Sequence, residues 1–382
     1  MTTLCWLCVR LCVELCRAGA LLKAAAHALR QPLSYRTMPG MRHLAIRLTT
    51  CVLAMTRDAM PLRGILHWCT LVILAGSVLS CQFPNRYLIY PKEIPVHVQS
   101  WTEDVDQGPL RLHLVWAKPV GAGPWPTVLV HPDGSATAAD MRGVLWDLAS
   151  RGYLAVAADY RRLHDGTYQR TLFPWCEEAE VTTVLEILRA QPWVDGQRLA
   201  ALGFSQGGIF SLLLAAQSPA LKAVVAYYPV TDFPRWLAAP HAPFLQRLVF
   251  HFIREYFRRD AERCPGVTFQ TVLDNASALY QAERIQVPVL LIHGDQDGAA
   301  PVEESRRLAA RLAALGRDVE LVVIAGGRHV FNFKQPTQAQ EAWQVTLQWL
   351  ARHLAVANNG RQTLASGASQ DRSPLRHSCR VF

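Results

Sequence analysis

The chain has 382 residues, 51% of them hydrophobic and 18% charged. That balance excludes a disordered chain and suits one large buried core with extensions. The formal net charge is +9, but the arginines are scattered singly or in pairs such as Arg161-Arg162 and Arg306-Arg307 beside apolar segments, with no basic stripe interleaved with aromatics. No nucleic-acid partner is expected from that pattern.

Six of the ten cysteines precede residue 81: Cys5, Cys8, Cys12, Cys16, Cys51 and Cys69. Cys5, Cys8, Cys12 and Cys16 lie among Leu, Val and Trp on one helical face, with no nearby histidine or second paired cluster. Zinc sites need such a second ligand pair, so no metal site is expected. Residues 63–81 read RGILHWCTLVILAGSVLSC: a positive start at Arg63, an apolar run from Ile65 to Leu79, then small residues before Cys81. This is the order of a secretory signal, and the run is shorter than the roughly 20 residues of a comfortable membrane span. Met55 and Met60 precede it, so residues 1–59 read as an over-extended start or leader and 60–81 as the signal. Val78-Leu79-Ser80-Cys81 resembles the lipobox of bacterial lipoprotein signal peptides. That resemblance implies a lipid on Cys81, a membrane partner through this anchor, and a place in the cell envelope facing the periplasm; without the lipid the protein would be secreted. Gln82, in place of an aspartate, is compatible with outer-membrane sorting.

Residues 82–357 carry the pattern of a folded domain. A short polar, Pro-containing stretch runs to Pro95; Leu110, Leu112 and Leu114 then alternate with Arg111 and His113 as a half-buried strand does. Past a Pro/Gly turn at 121–126, strands and helices alternate. Strands are predicted at Thr127–His131, Leu154–Asp159, Arg198–Phe204, Leu221–Tyr228, Val287–His293 and Val319–Ile324. Helices are predicted at Ala139–Arg151, Glu177–Gln191, Gln206–Gln217, Val302–Leu315 and Gln338–Leu354. Repeated strand–helix units mean a mostly parallel sheet covered on both faces, with ligands at the carboxyl ends of its strands. Residues 232–283 break the rhythm: they hold helical stretches such as Phe244–Arg258 and no buried strand, and read as an inserted lid. Its Trp236, Phe244, Phe250, Phe252 and Phe257 suggest an apolar acyl pocket. Residues 358–382 are polar and rich in Gly, Ser and Arg, the composition of a disordered tail.

The chemistry-bearing residues follow strands. Gly203-Phe204-Ser205-Gln206-Gly207 sits between the strand RLAALGF and the helix IFSLLLAAQ. This is G-x-S-x-G on a strand-to-helix turn, where only glycines fit beside the serine and the helix N-terminus favours negative charge. The order for this arrangement is serine, acid, histidine. After VPVLLIH two aspartates compete for the acid, Asp295 and Asp297; Asp297 is preferred, and Asp295 also fits a turn residue beside Gly294. After VELVVIA, His329 follows Gly326-Gly327-Arg328, where an imidazole can reach the serine as general base. A tetrahedral intermediate needs an oxyanion hole. One donor is expected at the backbone N–H of Gln206. The second is expected in Pro132-Asp133-Gly134-Ser135; Pro132 has no N–H, which leaves Asp133 or Gly134.

The blocks VLVHPDGS, AADYRR, WVDGQRLAALGFSQGG, VPVLLIHGDQDGAAP and GGRHVFNF resemble the dienelactone hydrolase and prolyl oligopeptidase-type branch of the α/β hydrolases. The resemblance implies the α/β-hydrolase fold, a mostly parallel eight-stranded sheet flanked by helices with a small helical lid. It also implies Ser205 as nucleophile, Asp297 as acid, His329 as base, a small ester or peptide substrate and no cofactor. The sequence departs from the family where its HGG turn is here His131-Pro132-Asp133. About thirty residues separate Cys81 from the predicted first strand, too few for the β-propeller that prolyl oligopeptidases carry. Two readings follow: a serine hydrolase of the cell envelope, or a catalytically silent scaffold that retains the fold.

Overall fold

The computed structural model describes residues 84–355, apart from 109, 165, 171–177, 240–243 and 264–265. The leader, the signal with Cys81 and the tail 358–382 therefore lie outside the described residues.

The sheet follows from the apolar runs. In chain order its strands are β1 (Val98–Gln107), β2 (Leu110–Pro119), β3 (Trp125–His131), β4 (Leu154–His164), β5 (Thr167–Arg170), β6 (Val194–Phe204), β7 (Leu221–Tyr227), β8 (Val289–Gly294) and β9 (Val319–Ile324). Eight lie along the path β1-β2-β4-β3-β6-β7-β8-β9, and β5 adds a short ninth strand paired to β4. The path is parallel from β4 through β9, while β1 and β2 join antiparallel. The inner strands β7 and β8 are apolar and almost wholly buried, as parallel strands covered on both faces must be. The periodicity reading does not include β1. Its sequence VQSWTEDVDQ is acidic because it is an edge strand with one face in water.

The helices are α1 (Arg142–Ser150), α2 (Glu178–Arg189), α3 (Gln206–Gln217), α4 (Phe233–Leu237), α5 (Phe244–Arg263), α6 (Phe269–Asn275), α7 (Glu303–Ala314) and α8 (Pro336–Leu354). Alternation along β2 divides the core: Leu112, Leu114 and Trp116 face α2, α3 and α7, whereas Val115 and Ala117 face α1 and α8. The helices α4, α5 and α6 form the insert between β7 and β8, packed on the first of these cores. Two of the five aromatics expected to line a pocket are core residues instead: Phe250 and Phe257 are buried, against Trp236 and Phe233 at ring-centroid distances of 4.6 and 5.0 Å. The insert is fastened at its root, where buried Glu304 accepts the N–H groups of Thr231 and Asp232, both at 2.9 Å.

The segment before β1 crosses the molecule. Asn85 N–H bonds the carbonyl of Phe333 at 2.8 Å, near the carboxyl ends of the strands. Tyr87 and Tyr90 then pack on Trp146 and Trp343, with centroids 6.2 and 5.1 Å apart. The segment enters β1 at Val98, opposite Pro119, at the other end of the sheet. No helix among the described residues is long and apolar enough to cross a membrane.

Candidate active site

Between β6 and α3 the chain reverses in so little space that side chains are excluded on both sides of Ser205. A Cβ on Gly203 would lie 1.9 Å from the carbonyl oxygen of Gly207, and one on Gly207 would lie 2.0 Å from that of His131. Ser205 is forced to φ 53° and ψ −114°, a conformation costly for a residue with a Cβ. Its N–H is tied to the carbonyl of Tyr227 at 2.9 Å, which fixes the turn to β7.

Ser205 Oγ lies 2.9 Å from His329 Nε2, and His329 Nδ1 lies 2.7 Å from Asp297 Oδ2. An ionised carboxylate can only accept, so Nδ1 carries the proton and Nε2 is left to accept the hydroxyl hydrogen of Ser205. Asp297 is buried, and its other oxygen accepts the N–H groups of Ala299 and Ala300, both at 2.9 Å. Of the two aspartates after β8, Asp295 points elsewhere: its Oδ1 accepts the N–H of Gly326 at 2.8 Å and braces the loop after β9. His293 Nε2 is 3.6 Å from Asp297, but its ring is occupied, donating to Ala300 O at 2.8 Å and bonding Ser305 Oγ at 2.7 Å. Burial pushes the His293 pKa down, so it stands as a neutral support.

Around His329 the backbone is again strained. Ser205, Tyr228 and Val330 are the non-glycine residues with positive φ among those described, and all three are here. The Tyr228 ring meets the imidazole edge-on at a centroid distance of 4.9 Å, and its hydroxyl donates to Asn332 Oδ1.

Gln206 begins α3, so its N–H has no acceptor within the helix. The turn after β3 lies over it: a Cβ on Gly134 would be 3.2 Å from Gln206 Oε1. The Asp133 side chain is turned inward, ion-paired with Arg86 and accepting the N–H and hydroxyl of Ser135 at 2.8 and 2.5 Å. Burial alone would raise the Asp133 carboxyl; the charge and hydrogen bonds of Arg86 and those of Ser135 outweigh it and hold the group below the ordinary carboxylate range. His131 is wholly buried between Ser211 Oγ and Tyr160 Oη at 2.9 and 3.0 Å, and burial pushes its pKa down to about 3. Among the described residues no group of three or more His, Cys, Asp or Glu is disposed to hold a metal ion; Cys81 lies outside them.

Sequence reasoning does not single out Arg86 or Tyr228, and it reads Trp236 as a pocket residue rather than as a partner of the acid loop. Tyr228 had a weak signal, an aromatic pair just past β7; Arg86 had none, because its partner is 47 residues away. Together these groups can present a hydroxyl to an imidazole backed by a carboxylate, beside a helix N-terminus.

Comparison with known proteins extends the geometry. A Yersinia pestis protein provisionally named carboxymethylenebutenolidase is 26% identical over 251 residues, covering 60% of this chain and 79% of its own. The uncharacterized peptidase YtmA of Bacillus subtilis is 26% identical over 244 residues, covering 63% and 89%. The acylaminoacyl peptidase of Pyrococcus horikoshii superposes with a TM-score of 0.54 at 19% identity, over 70% of this chain and 43% of that one. The chain thus spans under half the length of that peptidase, and the likeness is one of fold. The named relatives support a hydrolase of the esterase or peptidase kind, and the sheet order and the superposition support its fold. Residues 145–357 match the prolyl oligopeptidase family, and the chain belongs to it.

Proposed function

We propose that the protein is a serine hydrolase that cleaves carboxylic esters or short peptides through an acyl-enzyme. The observation that carries this reading is the unbroken chain of contacts from Ser205 Oγ to His329 at 2.9 Å and from His329 to Asp297 at 2.7 Å. His329 Nε2 takes the hydroxyl proton as Ser205 Oγ attacks the substrate carbonyl, and Asp297 stabilises the imidazolium that forms. The oxyanion is held by the N–H of Gln206 and by a second N–H from Asp133 or Gly134. Collapse gives the leaving group the proton from His329 and leaves the acyl group on Ser205. Water, deprotonated by the same imidazole, then releases the acid. These steps use only protein groups. No observation favours a silent scaffold.

The test is turnover of p-nitrophenyl acetate and butyrate by the full chain beside Ser205→Ala, with covalent labelling by a fluorophosphonate. Turnover and labelling that vanish in the variant support the reading. An inert, unlabelled wild type overturns it.

The same proposal includes lipid attachment at Cys81 and a place in the cell envelope, supported by the signal-like order of residues 63–81. Partition into the membrane fraction, lost in Cys81→Ser, is the expected result. Equal partition of both forms overturns it.

A further inference from the structure

The buried ion pair between Arg86 and Asp133 stands where no hydrolytic step needs it. The Arg86 side chain is 10% exposed and that of Asp133 is 3% exposed. One guanidinium nitrogen pairs with Asp133 and another donates to Ser135 Oγ at 3.1 Å, so the fork spans the turn after β3. Its flat face lies over the Phe333 ring, 4.6 Å from the centroid. Phe333 is the residue whose carbonyl accepts from Asn85, and its ring is 5.2 Å from that of Phe204, the neighbour of Ser205. A single side chain from the amino-terminal segment therefore contacts both the turn after β3 and the loop that carries His329.

Two physical consequences follow. The turn is braced from within by the bonds of Asp133 to Ser135 and to the N–H of Ala136, and the fork ties it to the amino-terminal segment with bidentate restraint of a kind that a lysine cannot supply. The Asp133 carboxylate is also an anion within the turn that lies over Gln206, and without Arg86 it would oppose negative charge developing there in a site of low dielectric. Paired with Arg86 it contributes a near-neutral unit.

We infer that Arg86 is a positioning residue of the oxyanion hole: through Asp133 and Ser135 it aims the turn after β3 at the developing oxyanion and cancels the Asp133 charge beside it. The inference rests on Ser205 being the nucleophile, as proposed above.

The test compares full-chain wild type, Arg86→Met, Arg86→Lys, Asp133→Asn and the Arg86→Met/Asp133→Asn double variant for kcat, KM and thermal midpoint. An oxyanion donor lost outright costs about 100- to 1000-fold in kcat, so a misaimed one is expected to cost about 10- to 100-fold in Arg86→Met with KM nearly unchanged. Arg86→Lys falls between. The double variant recovers part of the loss, because the uncompensated anion is gone. In a further variant, Arg86→Ala, added ethylguanidinium is expected to restore part of kcat by replacing the missing fork. A folded Arg86→Met with wild-type kcat overturns the inference, as does a loss that only tracks the folded fraction and is not rescued by ethylguanidinium. Wild type that neither turns over ester nor labels at Ser205 is a different failure, that of the serine hydrolase reading itself, and takes this inference with it.

Discussion

Trp236 donates its indole N–H to the carbonyl of Ala299 at 2.9 Å, joining the insert to the loop that carries Asp297. The N–H of that same Ala299 is bonded to Asp297 Oδ1. Gln246 of α5 reaches Ala299 O as well, more loosely, at 3.3 Å. The helical insert is thereby attached to the acid's support. In Trp236→Phe the ring stays against Phe250 and the hydrogen bond goes. A bond of this kind is worth about 0.5–1.5 kcal/mol, so kcat/KM is expected to fall by about 2- to 10-fold with a small drop in thermal midpoint. Steady-state ester hydrolysis and a melting curve check it; an unchanged kcat/KM would show that the acid loop stands without the insert.

The two aspartates after β8 give a paired prediction. Asp297→Asn presents a neutral group to His329 Nδ1 and favours the wrong tautomer, so kcat is expected to fall by roughly 10,000-fold, the scale seen for such a change in a serine protease triad. Asp295→Asn keeps a carbonyl oxygen to accept from Gly326 and should stay within a few-fold of wild type. Side-by-side kcat values decide it, and a reversed order would move the acid to Asp295.

Much of this was legible from the chain and some was not, for a physical reason. α3 and β9 are read to their ends, because Gln206–Gln217 and Val319–Ile324 are largely apolar runs bounded by turn residues. The motifs around residues 205, 297 and 329 fall after strands, so topology alone brings their side chains to one end of the sheet. Edge strand β1 escapes because half its residues face water, and Phe250 and Phe257 read as pocket residues because composition cannot tell a ring that lines a cavity from one that fills a core. The Arg86–Asp133 pair has no local signature at all.

Phe257 tests the distinction between pocket and core. It is fully buried against Phe233. Phe257→Ala is expected to cost about 3–5 kcal/mol of stability and to leave the preference between acetate and butyrate esters unchanged in the protein that remains folded. Denaturant unfolding and the ratio of the two kcat/KM values check this; a shifted ratio would return the residue to the substrate site.

His131 predicts an acid-labile fold. Its pKa is about 3 in the native state against about 6.5 when exposed, so between those values the unfolded chain binds the extra proton. The stabilisation is fully present above about pH 6.5 and is lost as pH falls toward 3, with an upper bound on the order of 5 kcal/mol. Asp133, held below its ordinary range, acts in the same direction at lower pH. His131→Gln can replace both ring hydrogen bonds without titrating, and urea unfolding free energies should then vary less with pH from about 7 down to 4. An equal slope in both proteins would mean that His131 is not the group responsible.

The amino-terminal segment joins the body beside Phe333, at the mouth of the site, before running to the far end of the sheet. Whatever precedes Pro84 is covalently attached on that side. Two residues, Gln82 and Phe83, separate Cys81 from Pro84, and the three steps reach about 10 Å even when fully extended. Were Cys81 to carry the proposed lipid, an enzyme on so short a leash would graze rather than roam, with this end of the sheet turned toward the surface that holds it. The molecules it meets most often would be those confined to that surface or squeezed into the thin layer of water above it, and bulky folded proteins would be turned away by lack of room.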